Sequence, residues 1–319
     1  MKVKFAVGLA KALAVVATAA ASLLGCVTAE PEDDPEHLNV LMIGNSFSIS
    51  CLTHLPQVAA DCGKKLDLGS LYIPGCSLER HATNIVAELE NVKAKGKYLY
   101  DRVTDNGRRV TRRDARLTDV LRGVRWDVVT IQQASHLSWK AGSYHPWGDV
   151  LVNAVRRFAP QARIVVQETW SYTPFDKRLA KWGISADEMY GRLSAAYAAF
   201  AKANGFETIR MGLAVDEWRR RLPVAYGEHS FGGDVVGGRC QKEADHFKRN
   251  ADQTWTVNSD AFHLNEKGEY LQALVWAVKL LDADVSKLKS HPDCVTDDEA
   301  SLMRRIAAEV GAKDVRRLN

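Results

Sequence analysis

Residues 38–49 read LNVLMIGNSFSI. A short apolar run ends at Gly44-Asn45-Ser46, and residues 47–62 then carry apolar side chains at near-helical spacing. This pattern predicts a buried strand, a tight turn and a helix. Ser46 is thereby placed at a helix N-terminus, where unpaired backbone N–H groups favour negative charge, as an alkoxide nucleophile or an oxyanion would need. A Ser or Asn that merely caps the helix is the simpler alternative.

Further strand candidates alternate with helical segments along the chain. Apolar or β-branched runs predict strands at residues 66–73, 126–132, 162–167 and 207–211. Helical spacing predicts helices at residues 81–95, 150–158, 186–204, 264–281 and 297–310. Continuous apolar strands that alternate with helices indicate a parallel sheet of about five strands, covered by helices on both faces. Ligands of such sheets bind at the carboxyl ends of the strands.

Two stretches break this alternation. Residues 101–125 contain eight Arg, and residues 222–254 are rich in Gly, His and charged side chains without periodicity. Both are predicted to be surface insertions near the rim of the site. For residues 101–125 a solvated face is favoured over a lid that contacts substrate.

The N-terminus has the pattern of an export signal. Lys2 and Lys4 precede an Ala-rich apolar stretch that ends at Gly25-Cys26. Such an ending resembles a bacterial lipobox, in which the Cys is lipidated and becomes the mature N-terminus. We therefore predict a signal peptide over residues 1–25, a lipidated Cys26 with an acidic tether over residues 26–37, and one domain over residues 38–319. Val27 favours sorting to the outer membrane, where the host has one.

Composition limits the classes of partner. The 319 residues are 46% hydrophobic and 26% charged, which is typical of a globular protein. The net charge of +4 includes three lysines of the predicted signal, so the mature chain carries about +1. This balance argues against nucleic-acid binding. We expect a monomer that meets the membrane only through its lipid anchor.

Cysteine and histidine spacing indicates no metal site. No CxxC or HExxH pattern occurs, and no metal ligand is predicted. Five cysteines follow Cys26, so at least one thiol is unpaired or pairs outside the chain. Export permits disulfides, but their pairing cannot be deduced from the sequence. The five are Cys51, Cys62, Cys76, Cys240 and Cys294.

A second reactive pattern lies near the C-terminus, where residues 259–265 read SDAFHLN. A Ser hydroxyl is a weak nucleophile until a base takes its proton, and His is the natural base near neutral pH. A carboxylate on the other ring nitrogen fixes the tautomer and stabilises the imidazolium. Asp260 and His263 can supply both groups from one short loop, so Ser46, His263 and Asp260 are predicted to form a catalytic triad.

The order of these blocks resembles the SGNH (GDSL-like) hydrolases, and in particular a branch whose first block reads G-N-S-F. The resemblance covers residues 38–281 and also rests on residues 75–79, GCSLE, as a second block. It implies a flavodoxin-like three-layer α/β/α fold and hydrolysis of an ester, often on a carbohydrate. It further implies an oxyanion hole formed by the N–H groups of Ser46 and Gly75 and one side-chain donor. The reaction requires no cofactor.

The third block departs from this family. Where the family has G-x-N-D, residues 132–136 read QQASH. Gln133 offers the matching carboxamide and is the preferred donor, with His136, which counting places at the Asn position, and Gln132 as alternatives. Loss of one donor is typically worth ~3 kcal/mol of transition-state stabilisation, so the change should weaken activity without abolishing it.

Asn45, Trp139 and Trp170 are predicted to contact substrate, since Trp rings stack on sugars, although packing in the core or rim is the default role of Trp. The preferred function is a serine esterase that removes acetyl groups from a carbohydrate. The alternative is a catalytically silent, carbohydrate-binding lipoprotein on the same fold, for which the altered third block is the best support.

Overall fold

The computed structural model describes residues 37–174, 176–221, 233–237, 247–249, 255–257 and 260–312. Its main sheet has seven strands in the order β4-β3-β2-β1-β5-β6-β7. These strands are β1 (His37–Gly44), β2 (Lys65–Tyr72), β3 (Tyr98–Val103), β4 (Arg109–Ala115), β5 (Val128–Ile131), β6 (Arg163–Gln167) and β7 (Glu207–Ile209). Two short strands, β8 (Phe247–Arg249) and β9 (Trp255–Val257), form a separate antiparallel pair.

Helices connect these strands. They are α1 (Ser46–Ile49), α2 (Cys51–Asp61), α3 (Leu78–Glu90), α4 (Leu117–Gly123), α5 (Ser135–Ser138), α6 (Trp147–Phe158), α7 (Lys177–Trp182), α8 (Ala186–Asn204), α9 (Met211–Arg221), α10 (Glu266–Leu281) and α11 (Asp297–Ala312). Helix α10 packs against α2, α9 and α11, whereas α6 packs against α3 and α4. These two groups cover opposite faces of the sheet, as right-handed crossovers on either side of β1 require. The fold is therefore the predicted three-layer, flavodoxin-like α/β/α sandwich.

The five predicted strands are β2, β1, β5, β6 and β7, and all four of their pairings are parallel. The chain moves from β1 to β2 in one direction along the sheet, and from β5 through β6 to β7 in the other. The crevice at the carboxyl end of β1 is therefore the topological switch point, where ligands of open α/β sheets bind. Ser46 follows β1 directly at this point.

The sheet is wider than predicted because residues 98–115 form an antiparallel hairpin, β3–β4, at its edge. In β4 only Ala115 is buried, and its Arg side chains face solvent. An exposed, arginine-rich edge strand discourages pairing with another sheet. The expected solvated face is met by β4 alone, since Leu117, Val120 and Leu121 of the same stretch are buried in α4. The predicted position near the rim of the site is wrong, because the hairpin turn lies beside Asp67, at the end of the sheet away from Ser46.

Four of the cysteines, Cys51, Cys62, Cys76 and Cys294, are free thiols. Cys240 and the predicted lipidation site Cys26, with its signal and most of its tether, lie outside the described residues. Within the described part of the chain, helices are too short or too polar to cross a bilayer.

Candidate active site

The turn that carries Ser46 is held by hydrogen bonds from three directions. Asn45 adopts an extended backbone (φ −143°), and its Oδ1 caps α1 by accepting from the Phe47 N–H at 3.0 Å. The Phe47 carbonyl in turn accepts from Nε2 of Gln167 at 2.9 Å and of Gln272 at 3.0 Å. These bonds tie α1 to both β6 and α10, which fixes the position of Ser46.

Gly44 is required by close packing beneath this turn. A Cβ at this position would lie 2.6 Å from Oγ of Ser48 and 3.1 Å from Cδ of Gln132. The spacing is shorter than ordinary van der Waals contact, so a larger residue would displace the turn that positions Ser46.

The structure brings together the three predicted triad residues from opposite ends of the chain. Nε2 of His263 lies 2.7 Å from Oγ of Ser46, and Nδ1 lies 2.5 Å from Oδ1 of Asp260. With its Nδ1 proton donated to the carboxylate, His263 presents Nε2 as an acceptor for the Ser46 hydroxyl proton. The side chains of His263 and Asp260 are 28% and 33% exposed, so substrate and water can reach the group.

The loop that carries Asp260 and His263 is clamped by the segment after β6. Nε1 of Trp170 donates to the Phe262 carbonyl at 2.8 Å, and the Thr173 N–H donates to the Ala261 carbonyl at 3.0 Å. The Trp170 ring also stacks on Phe47, with centroids 4.2 Å apart. Trp170 thus contacts both α1, through Phe47, and the loop that carries His263, through Phe262.

The predicted oxyanion-hole amides lie on adjacent turns. Ser46 begins α1, and Gly75 follows β2 in a Pro74-Gly75 turn with φ +57°, a conformation that favours glycine. Nδ2 of Asn45 donates to the Cys76 carbonyl at 3.0 Å, which joins the two turns. Asn45 therefore links the two elements whose amides would face a substrate oxygen.

The side-chain amide of Gln133, the preferred third donor, is fully hydrogen-bonded to other protein groups. Its Nε2 donates to the carbonyl and hydroxyl oxygens of Ser143, and its Oε1 accepts from the N–H groups of Leu78 and Ala134. The side chain is buried. The assignment of Gln133 as oxyanion donor is therefore corrected: in this geometry it is a structural tie between the third and second blocks.

The two alternative donors, Gln132 and His136, differ in burial and in hydrogen bonding. Gln132 is buried, and its Nε2 donates to Oδ1 of Asn45 at 2.7 Å, so it ties the third block to the first. His136 reaches solvent and makes no side-chain hydrogen bond within the described residues. Partial burial and the charges of Lys140 and Arg178 lower the pKa of His136. A neutral imidazole still carries one N–H donor, so His136 stays available for this role.

The predicted substrate contacts need similar correction. Asn45 and Trp170 are 1% and 0% exposed, so neither can touch a bound ligand; they position the site instead. Trp139 is half-buried and packs against Trp182, with centroids 5.6 Å apart. Of the three, Trp139 alone retains surface that a ligand could meet.

A pocket of about 260 Å³ opens beside the triad. Its walls are formed by Ser46, Ile49, Ser50, Tyr72, Asp260, His263, Leu264 and Glu269. The apolar part comes from Ile49, Tyr72 and Leu264, which the sequence did not single out. Such residues line a site only through tertiary packing, and no motif marks them.

Within the described ranges, one group of residues has metal-ligand chemistry. A nitrogen of His37 and carboxylate oxygens of Asp67 and Asp105 lie within 4.8 Å of one another, at the opposite end of the sheet from Ser46. Arg102 already donates to Asp67 at 2.5 Å, and His37 lies 3.0 Å from the same carboxylate. The Arg102 guanidinium supplies the positive charge that a cation would bring.

Comparison with solved structures gives a strong similarity to a protein of known structure. A DUF4886 family protein from Bacteroides uniformis is 25% identical, with a TM-score of 0.70 over 86% of this chain and 94% of that chain. Weaker similarities include the periplasmic domain of a lipopolysaccharide acetyltransferase from Salmonella ser. Paratyphi A (13% identity, TM-score 0.40, covering 73% and 79%). Another is a GDSL-like lipase from Bacteroides thetaiotaomicron (11%, 0.34, 76% and 85%). Similarities at these lower scores support no functional conclusion.

A comparison with curated proteins finds no match. The sequence profile of DUF4886, a domain of unknown function, matches residues 39–204, which is just over half of the chain. The matched region contains Ser46, Gly75 and the third block, and it ends before Asp260 and His263. On this match the chain belongs to the DUF4886 family.

Proposed function

We propose that this protein is a serine ester hydrolase with Ser46 as nucleophile, His263 as general base and Asp260 as the group that orients His263. The observation that carries this proposal is the hydrogen-bonded series from Oγ of Ser46 to Nε2 of His263 and from Nδ1 to Asp260. A serine that only caps a helix needs no histidine on its hydroxyl and no carboxylate behind that histidine. Here both are present, at the switch point of the sheet where ligands bind.

In the first half-reaction, Oγ of Ser46 attacks the ester carbonyl while His263 takes the hydroxyl proton. The carbonyl electron pair moves to oxygen, and the N–H groups of Ser46 and Gly75 stabilise the oxyanion, with His136 as the candidate third donor. The tetrahedral intermediate collapses as His263 returns the proton to the leaving alcohol. Water, deprotonated by His263, then attacks the acyl-enzyme; the proton passes back to Ser46 and the carboxylic acid leaves.

The preferred substrate is an acetylated carbohydrate. The half-buried Trp139 and Trp182 near the site offer ring faces for sugars, and the pocket beside Ser46 has room for a short acyl group. Lipid anchoring through Cys26 would place this activity at the cell envelope, as the N-terminal sequence predicts.

A catalytically silent carbohydrate-binding protein is the second candidate. One observation favours it: the side-chain amides of Gln132 and Gln133 in the third block donate to Asn45 and Ser143 of the protein itself, and so are not donors to a substrate. Against it stands the complete series of Ser46, His263 and Asp260, which a binding module does not need.

Turnover of p-nitrophenyl acetate tests the enzyme proposal. The wild-type protein should release p-nitrophenol, and Ser46→Ala should reduce the rate to background while its circular dichroism and melting temperature stay unchanged. Ser48→Ala is a matched control, because its hydroxyl donates to the Asn45 carbonyl at 2.8 Å and does not contact His263. Retained turnover in Ser46→Ala would refute the assignment of the nucleophile.

A further inference from the structure

A continuous row of aromatic rings leads away from the triad. Phe262 lies 4.1 Å from the His263 ring and 5.4 Å from Tyr172, measured between ring centroids. Trp182 then lies 5.6 Å from Tyr172 and 5.6 Å from Trp139. Tyr172 is buried, whereas Phe262, Trp182 and Trp139 are half-buried and reach the surface. We refer to Phe262, Tyr172, Trp182 and Trp139 as the aromatic row.

Cationic side chains lie over this row. The Arg178 guanidinium is 4.0 Å from the Phe262 centroid and lies over the Tyr172 ring as well. At the far end, Nζ of Lys140 is 5.0 Å from the Trp139 centroid, and the Arg192 guanidinium is 5.8 Å from it. These contacts hold positive charge at the surface of the row.

Only part of this charge is neutralised. Arg178 is paired with Asp176, and Arg192 with Glu188. Lys177 and Lys181 stand on one side of α7, four residues apart. Three exposed lysines have no carboxylate partner within the described ranges: Lys140, which lies over Trp139, and Lys177 and Lys181, which are on α7, the helix that also carries Trp182. The aromatic row therefore has unneutralised positive charge over Trp139 and on α7, the helix that carries Trp182.

We propose that the aromatic row and its lysines bind an anionic polysaccharide, a glycan bearing carboxylate or sulfate groups, and deliver its ester-bearing sugar to Ser46. This inference rests on the proposed esterase function and names its substrate class. The apolar faces of the sugars stack on Trp139 and Trp182, while the anionic groups pair with the exposed lysines. Contact with Phe262 brings the chain to the edge of the triad.

The same surface suits a lipid bilayer less well. Insertion into a membrane requires fully exposed, large apolar side chains. Val92 is the large hydrophobic residue that is strongly exposed within the described ranges (73%), and it follows α3, away from the row. Tyr172 is buried, and the other three rings of the row are half-buried and flanked by charge, which fits a flat, polar polymer better.

Kinetics with two polymers provide the first test. Acetylated polygalacturonate and acetylated xylan carry the same ester on an anionic and on a neutral chain. We expect a kcat/KM at least 10-fold higher on the anionic polymer in 50 mM salt, and we expect this preference to shrink in 500 mM salt because screening weakens surface ion pairs. Equal rates on both polymers at low salt would overturn the inference.

Charge-reversal variants test whether the lysines beside the aromatic row cause the preference for the anionic polymer. Lys140→Glu combined with Lys181→Glu should lower kcat/KM on the anionic polymer by at least 10-fold, with a much smaller effect on the neutral one. Lys202→Glu combined with Lys289→Glu makes the same charge change at exposed lysines outside the row that also have no carboxylate partner within the described ranges, and is the matched control. An equal loss in both double variants would refute a local role for the row.

Binding by the Ser46→Ala protein separates this inference from the esterase proposal. Unacetylated polygalacturonate should bind this variant, and the Lys140/Lys181 double reversal should abolish binding. If this binding is seen but the wild-type protein hydrolyses no ester, the esterase proposal is refuted and polysaccharide binding by the aromatic row is supported. Hydrolysis without polymer binding would refute the row alone, as would lysine-dependent binding to anionic phospholipid vesicles in place of the polymer.

Discussion

The indole Nε1 of Trp170 donates a 2.8 Å hydrogen bond to the carbonyl of Phe262, the residue directly before His263. Trp170 also stacks on Phe47, the residue directly after Ser46. One buried side chain thus holds α1, which carries Ser46, against the loop that carries His263. The first two predictions follow from positioning of this kind.

Trp170→Phe should lower kcat strongly while it reduces the free energy of unfolding only a little. The ring would still pack against Phe47, but the bond to the histidine loop would be lost, at a cost of about 1 kcal/mol in unfolding free energy. Displacement of reacting groups by about 1 Å can reduce rates roughly 100-fold, so we expect kcat on p-nitrophenyl acetate to fall by about 10-fold or more. Steady-state kinetics and urea unfolding measure the two effects.

Trp126→Phe is the matched control. Trp126 is also fully buried, and its Nε1 donates to the Val120 carbonyl at 2.9 Å, far from Ser46 in the fold. It should lose similar stability but keep its kcat. Equal kcat losses in the two variants would show that Trp170 has no special role in positioning.

Asn45→Ala should impair both stability and turnover. It removes a cap acceptor, the bond to the Cys76 carbonyl and the partner of Gln132. Because buried polar groups are left unsatisfied, we expect a loss of about 2–4 kcal/mol in unfolding free energy and a lower kcat. Denaturant unfolding checks the first effect; a loss below about 0.5 kcal/mol would mean that Asn45 does not hold the two turns together.

His136 and Gln133 should respond in opposite ways. His136 reaches solvent, so His136→Ala should leave stability within about 0.5 kcal/mol while reducing kcat about 100-fold, as loss of one oxyanion donor does. Gln133→Leu should destabilise the fold by about 2 kcal/mol because it leaves the amides of Leu78 and Ala134 without their acceptor. An unchanged kcat in His136→Ala would exclude it as the third donor.

The stability of the protein should decrease in mild acid because of His81. Burial, with a contribution from the charge of Arg80, lowers the pKa of His81 to about 3. The unfolded chain titrates near 6.5, so between these values the unfolded state binds a proton that the native state does not. Stability therefore falls as pH falls through this window, by up to about 1.4 kcal/mol per unit below pH 6.5.

Urea unfolding at pH 7 and pH 5 measures this dependence. His81 should account for about 2 kcal/mol of the difference, and His81→Gln should reduce it by that amount. His291→Gln changes a surface histidine that lies 2.9 Å from Asp297 and should not flatten the slope in this way. Identical pH dependence in wild type and His81→Gln would contradict the assignment.

The parallel strands, and the proximity of Ser46 to Asp260 and His263, could be predicted because both depend on patterns of residue type along the chain. Strands such as Val128–Ile131 are buried on both faces and read as continuous apolar runs. The first-strand turn and the D-x-x-H loop could be matched because the order of the two blocks along the chain resembles that of the SGNH hydrolases; the loop itself precedes α10 and follows no strand of the main sheet. Helices α4, α5, α7 and α9 and the hairpin β3–β4 were not predicted.

Side-chain direction could not be predicted in the same way. Gln133 has the chemistry of an oxyanion donor, yet its amide is satisfied by Ser143, ten residues away and outside the block. Trp170 has the chemistry of a sugar platform, but packing against Phe47 places it in the core. The β4 arginines carry no apolar alternation, because an edge strand exposed on both faces needs none. In each case a tertiary partner decides the role.

The most direct test of the central claim is active-site labelling with a fluorophosphonate, followed by peptide mass spectrometry. Oγ of Ser46 should attack phosphorus and expel fluoride, so the folded protein should carry one adduct on the peptide that contains Ser46. His263→Ala should strongly slow this labelling, because the hydroxyl would lose its base. Absence of an adduct on Ser46 in folded wild-type protein, or an equal labelling rate in His263→Ala, would contradict the proposed serine hydrolase.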